Sequence, residues 1–478
     1  MANHKTNKSS FDVLKSIFKN KNVIFSLSIT GFLVLLFHLL STITLPGITP
    51  GKFTADSNGF AGMLNLLAGG GLSRMSILAV GVSPYITSQI IVQLLSSDLI
   101  PPLSRAAKQG ERGRRKLEIV TRIITLPFAV AQGYAVIALM LQSSAQTGVK
   151  IFGHDALNQL NLGETFGLLF ILTAGTYICI FLGDMITKRG VGNGITLLIL
   201  SGIVSSFFSD FTVAFQTIAS SISSSSEVRL LTVILSCTLY VIFYIAILFA
   251  VIFVNASTRK IPIQQTGQGL MTDFNDLPYL PIKINSAGVI PVIFASSLMT
   301  IPGTIAQFLP DSSEVKWFIV GNASSKGYLT LDSWSGISIF FLLIVMFSFF
   351  YSYVQINPQQ LAENFTKSGR FIPGIKFGDN TEKHITKSLS RVNWIGAPIL
   401  GIIAVLPYIV SQFTHIPSGM AVGGTGMIII VTGTLELWNS IISAATTSGY
   451  SQAKGKIETK IYESKENINN DSKLEKLW

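Results

Sequence analysis

Side-chain catalysis needs a nucleophile, a base or a metal ligand at spacings that let them meet, and this chain offers few such sets. The five histidines, His4, His38, His154, His384 and His415, are scattered without metal-ligand spacing. Cys179 and Cys237 each sit in an apolar stretch and form no CxxC pair, so neither a disulfide framework nor a zinc site is expected. A phosphate-binding loop needs a glycine-rich turn followed by Lys and then Ser or Thr. Gly69-Gly70-Gly71 lacks that pair. No Ser/His/Asp or Cys/His constellation recurs. Asp184 and Glu436 fall near predicted ends of apolar runs, where a charged head can snorkel to the interface. These patterns point away from an enzyme, and no cofactor or metal is expected.

The elements carrying these residues are predominantly apolar. Of 478 residues 49% are apolar and 12% charged, about half the charged share of a typical soluble domain. Too little polar surface remains to cover soluble domains of that length, so the apolar surface must face lipid or other helices. A membrane span needs about 20 mostly apolar residues. Ten stretches qualify: 22–45, 72–97, 117–141, 163–186, 193–210, 228–254, 286–309, 335–357, 392–413 and 423–446. The first is too long for the core of a cleavable signal and lacks a small-x-small cleavage site, so it reads as a span.

The net charge of +11 could suggest nucleic acid, but its placement argues for orientation in a bilayer. Twenty-eight of the 35 Lys and Arg residues lie in 1–21, 98–117, 187–192, 255–285, 358–391 and 447–478, and five lie in the alternate connections. The positive-inside rule then predicts both termini and the two long basic loops, 255–285 and 358–391, on the cytoplasmic side. The predicted organisation is a basic N-terminus (1–21), a first half of five spans (22–210), an outer interfacial linker (211–227), a second half of five spans (228–447) and a flexible polar tail (448–478). Within the first half, 59–71 is apolar and glycine-rich but too short to cross, which predicts a re-entrant helix. Gly81-Val82-Ser83-Pro84-Tyr85-Ile86 and Gly288-Val289-Ile290-Pro291-Val292-Ile293 agree at four of six positions. Each lies in the second span of its half, where an inverted five-plus-five repeat would place it.

Longer blocks make a family resemblance specific. GLSRMSILAVGVSPYITSQIIVQLL (71–95), GERGRRK (110–116), LGDMITKRGVGNGI (182–195), LPIKINSAGVIPVIFASS (280–297), NPQQLAENFTKSGRFIPGIKFGDNTEKHI (357–385) and VGGTGMIII (422–430) are similar, in order, to blocks of the SecY/Sec61-alpha family. The resemblance implies an all-α integral membrane protein with ten transmembrane helices in two pseudo-symmetric inverted halves and a re-entrant plug. The family passes unfolded polypeptides across the cytoplasmic membrane of bacteria and releases transmembrane segments sideways into the bilayer. The energy comes from outside the channel.

Matched residue by residue, the resemblance puts a pore ring on Val82, Ile86, Ile195, Ile199, Ile293 and Ile429. It puts the plug on Gly59, Phe60, Ala61, Gly62, Met63, Leu64, Asn65, Leu66 and Leu67, and a polar cluster closing the lateral gate on Thr87, Gln132 and Asn285. Arg370, Lys376, Lys383 and Lys387 become candidates for cytoplasmic docking. The implied partners are small SecE-like and SecG-like membrane subunits, a SecA-type ATPase, the ribosome, client polypeptides and the lipid bilayer. Two positions depart from the family pattern. Lys376 stands where Arg is usual, and 264–276 (QQTGQGLMTDFND) has no basic residue. Two other readings stay open at this stage: an accessory paralogue with restricted clients, and a small-solute carrier built from inverted repeats.

Overall fold

The computed structural model describes residues 21–49, 60–96, 101–142, 150–154, 161–206, 227–265, 278–310, 313–322, 325–376, 378–413 and 425–446. The expected N-terminal segment up to residue 20, Gly59, nearly all of the 211–227 linker, most of the 264–276 loop and the tail after 446 lie outside them.

The described chain is predominantly helical. The first half comprises α1 (Lys21–Thr42), α2 (Phe60–Leu67), α3 (Ser83–Ser96), α4 (Pro101–Lys108), α5 (Glu111–Gln142), α6 (Leu162–Arg189) and α7 (Gly194–Ser206). Next come α8 (Glu227–Ala256), the strands β1 (Thr258–Pro262), β2 (Gln264–Gln265) and β3 (Tyr279–Lys283), then α9 (Ile290–Ala306) and α10 (Glu314–Val320). A small hairpin, β4 (Gly321–Asn322) and β5 (Ser325–Lys326), precedes α11 (Trp334–Ile356) and α12 (Pro358–Lys367). The chain continues through β6 (Arg370–Phe371), α13 (Asp379–Phe413) and α14 (Thr425–Thr446). Helices occupy parts of all ten predicted stretches, and among the described residues six are long and apolar enough to cross a membrane. Gly194–Ser206, Val241–Ala256 and Ile290–Ala306 are shorter apolar helices.

Large apolar side chains point outward on most long helices. Phe32, Phe170, Phe253 and Trp394 are each at least 66% exposed. A water-facing surface of that kind would associate, whereas in lipid it is the expected exterior. Packing inside runs α3 on α5, α5 on α6 and α1 on α6, then α9 on α11, α11 on α13 and α8 on α13. Helix α9 also touches α2, α3 and α5, and so joins the two sets.

Three boundaries differ most from the sequence expectation. Residues 72–82, predicted as the start of a span, form buried turns instead, and α3 begins only at Ser83. Gly69, Gly70 and Gly81 take positive φ there, with Met75 at φ 48. The backbone of these turns is paired by Leu45 N donating to Met75 O at 2.9 Å and Ile77 N to Ile43 O at 3.0 Å. Arg74, expected within a span, reaches Ser41 Oγ at 3.1 Å and Ser205 Oγ at 2.6 Å, tying the ends of α1 and α7 to the turn. A buried irregular backbone requires such partners. Gly288 repeats the geometry at φ 67, with α9 starting two residues later, as α3 starts two residues after Gly81 at φ 59.

The other two differences are helical extensions at the basic end. Helix α5 starts at Glu111 and α13 at Asp379, well before their apolar cores. Asp379 and Glu382 in the first turn of α13 complement the helix dipole. Ile385, Leu389 and Val392 recur at helical spacing on one face and pack with Ile261, Ile263, Ile282, Phe365 and Ile372. That small core binds the β1–β3 hairpin, in which Ile261 pairs with Leu280, to α12 and α13. Gln265 pairs with Arg370, so the two basic loops are stitched together.

Candidate functional site

Five of the six ring positions are nearly inaccessible: Val82, Ile86, Ile199, Ile293 and Ile429 are at most 5% exposed, and Ile195 is partly buried. They come from α3 and the turn before it, α7, α9 and α14. Val82 with Ile86, and Ile195 with Ile199, are four residues apart and so share a face. All six belong to or pack against one apolar cluster that draws on both ends of the sequence.

The cluster has a different neighbour on each side. Met63, Leu66 and Leu67 of α2 belong to it directly, so the re-entrant helix is part of the same packed unit. Of the nine expected plug residues the eight from Phe60 to Leu67 form α2, with Leu64 and Leu67 fully buried, and Gly59 lies outside the described residues. On the other side, Leu197 and Leu200 of the cluster also line a cavity of about 760 Å³. Polar Asn193, Thr196, Asn255, Asn285, Thr432 and Ser440 contribute to its wall. A cavity with polar walls, the vestibule, therefore borders the apolar cluster at Leu197 and Leu200.

Helix α2 is seated by absent side chains. A Cβ at Gly202 would overlap the Gly69 backbone, and a Cβ at Gly303 would overlap the Phe60 ring. Both glycines therefore serve close approach, Gly202 backbone to backbone, Gly303 backbone to ring. Their signal in the sequence is a small residue within an apolar run, which is too common to single out.

The three polar gate residues are buried but not joined. Among the described residues no hydrogen bond links any two of them. Thr87 Oγ1 donates to Ser83 O at 3.1 Å within its own helix. Gln132 is 1% exposed and its Oε1 has no partner. Asn285 Nδ2 donates to Asn255 Oδ1 at 3.0 Å and Gly288 O at 3.1 Å, while Asn285 Oδ1 has no partner. What does cross the seam between α5 and the end of α9 is a ring stack: Tyr134 and Phe308 lie 4.6 Å apart at 17°. Sequence reasoning missed this pair, because nothing in two isolated aromatics separated by many residues marks them as neighbours.

Asp184, expected to snorkel, instead pairs with Arg122, which also reaches Glu118 at 2.6 Å. Tyr177 donates to Arg122 O at 2.8 Å, so this polar knot fastens α5 to α6. Arg370, Lys376, Lys383 and Lys387 are all exposed at the basic end. Lys383 and Lys387 sit one turn apart on α13, opposite the face carrying Ile385 and Leu389.

The SecY family profile matches residues 76–438. The protein translocase subunit SecY of Mycoplasmoides gallisepticum is 49% identical over 449 residues, covering 93% of this chain and 87% of that protein. The corresponding subunit of Mycoplasma pneumoniae is 48% identical over 445 residues, covering 92% and 90%. Among solved structures, a protein-conducting channel superposes with TM-score 0.63 at 16% identity, covering 89% of this chain and 93% of the other. Sec61 in a canine ribosome-channel complex does so with TM-score 0.55 at 15% identity, covering 89% and 93%. At these identities the superpositions speak to the fold.

Proposed function

The chain belongs to the SecY family, and on that premise we propose how its geometry works as a protein-conducting channel. It is a membrane channel subunit of a translocase and not an enzyme. The six ring side chains form a soft constriction between the polar vestibule and α2, and α2 acts as the plug. The observation carrying this reading is the single apolar cluster that joins the ring residues to Met63, Leu66 and Leu67 beneath the vestibule.

The physics suits a conduit for arbitrary sequences. A narrow aliphatic constriction excludes water when empty and yields to a passing chain without recognising its side chains. The seal matters because each charge crossing dissipates about 2.3 kcal/mol per 100 mV. Helices α3 and α5 against α9 and α11 make the lateral gate. A segment exposed there partitions by its own apolarity: Leu or Ile contributes about −0.5 kcal/mol and a central charge costs about 3 kcal/mol. No catalytic residue is needed for that sorting. A solute carrier would want midplane charge, and the residues of the cluster are apolar.

The finer arrangement we propose follows the same reading. Ten helices cross the cytoplasmic membrane of a bacterium as two inverted halves, with both termini in the cytoplasm. The matching turns at Gly81 and Gly288 support the repeat. SecE-like and SecG-like subunits flank the channel, and a SecA-type ATPase or the ribosome docks on Arg370, Lys376, Lys383 and Lys387. With Lys376 making point contacts in place of a guanidinium fork, docking there is the more tolerant of orientation.

Locking the gate tests the reading. Tyr134→Cys and Phe308→Cys, bridged by a short bifunctional maleimide in the reconstituted complex, should stop membrane insertion of an apolar client, with each single Cys variant still active. Undiminished insertion through the bridged protein would contradict a gate at this seam.

A further inference from the structure

The vestibule holds a second site with different chemistry from the ring. Glu436 is its one carboxyl group and Lys283 its one amine, among 25 lining residues that are otherwise uncharged. The carboxyl stands at the root of α9: a Cβ on Gly288 would come within 2.5 Å of Glu436 Oε1. Among the described residues it makes no ion pair, although Lys283 shares the cavity. Asn285, 4% exposed, borders the same space and the same glycine. Its amide nitrogen faces two oxygens, Asn255 Oδ1 and Gly288 O, which fixes the carboxamide's orientation and leaves Oδ1 buried without a donor. Asn255 is itself held by Thr432 Oγ1 at 3.2 Å. Tyr351 adds an aromatic wall, its ring steadied by Phe294 at 5.9 Å.

Among the described residues, an amide oxygen without a donor and a carboxylate without an ion pair line one cavity with an aromatic ring, and together they describe a receptor for a group that brings only donors. Ammonium and guanidinium are those groups, and both are attracted to aromatic faces. Resting on the conduit reading above, we propose that Glu436, with Asn285 and Tyr351, receives a Lys or Arg side chain of the client that flanks its apolar segment on the cytoplasmic side. Glu436 lies seven residues beyond Ile429 on α14, about 10 Å along the helix axis. An extended client covers that in about three residues. The docked cation therefore sits about three residues from the client residue held in the ring, at the foot of the gate helix. The flank is held while the apolar segment meets the seam.

The test uses the reconstituted complex and matched clients carrying one apolar segment with Lys or Gln at a flank position moved residue by residue. The wild-type channel should favour the Lys client by about tenfold, the scale of one charge-assisted hydrogen-bonded contact, with an optimum near the spacing above. In Glu436→Gln the ratio should fall close to one, and in Glu436→Lys a Glu-flanked client should overtake the Lys client. An unchanged ratio in Glu436→Gln would overturn the proposal and assign the preference to anionic lipid. A parallel fall of both clients would also overturn it, because Glu436 would then only support α9. Failure of the wild-type complex to take either client would instead strike the conduit reading itself.

Discussion

Replacing Val82 and Ile429 together by glycine should raise the resting ion conductance of the reconstituted channel at least about tenfold. The two residues come from opposite halves of the sequence and belong to one extended apolar cluster, 3% and 0% exposed. Removing both side chains opens space within the apolar cluster, so water can enter. An ion in a dry constriction loses its hydration at a cost of many kcal/mol. Each ~1.4 kcal/mol of barrier removed multiplies flux by ten. Leucine at both positions keeps the aliphatic volume and should hold conductance within about twofold of the parent. Equal conductance in the glycine and leucine pairs, at equal amounts of incorporated protein, would remove the seal from Val82 and Ile429.

Gly202→Leu should unseat α2. The new side chain would collide with the Gly69 backbone, and Gly69 sits at φ 64 in a tight turn that has no flexible side chain to move aside. Overpacking of this kind costs about 1–3 kcal/mol, which shifts a seated-to-released equilibrium by about 5- to 150-fold. Leu67 is fully buried in the seated arrangement. A cysteine at Leu67 should therefore go from unreactive to readily labelled by an aqueous thiol reagent when Gly202→Leu is added. Gly163→Ala, which meets nothing within 4 Å, is the matched control and should leave Leu67→Cys protected. Continued protection in the Gly202→Leu background would show that α2 is not held at this contact.

Much of the helical framework was legible because hydropathy over twenty residues is a strong, local signal. Helices α1, α6 and α11 begin and end within a few residues of the runs that predicted them. Residues 72–82 were misread because Leu72, Met75, Leu78, Ala79 and Val80 are apolar enough to extend the run. Burial of Leu72, Met75, Ala79 and Val80 among residues of α2, α5 and α6 is a tertiary fact with no local marker. The extensions at Glu111 and Asp379 were missed for the opposite reason. Those turns are charged, and only the Ile385–Leu389–Val392 spacing betrays an amphipathic helix.

The candidate site divides the same way. The six proposed ring residues could not be read from composition, since each is ordinary in an apolar helix. The family resemblance selected them, and the structure places five of them inside, and Ile195 against, one extended apolar cluster. The gate residues were selected by the same route, yet Thr87, Gln132 and Asn285 make their hydrogen bonds locally or leave acceptors free. The ring stack of Tyr134 on Phe308 depends on where α5 and α9 cross, which no spacing within either helix encodes. Glu436 looked like a snorkelling residue because its partner environment, the turn at Gly288, lies far away in sequence.

The most direct measurement places photoreactive residues at Ile86, Ile293 and Ile429, one at a time, in complexes carrying a secretory chain arrested midway. Adducts to the arrested chain from all three positions, and none from a lipid-facing probe at Phe170, are the expected result. A chain that cross-links from Phe170 but from none of the three would contradict the claim that polypeptide passes through this aliphatic ring.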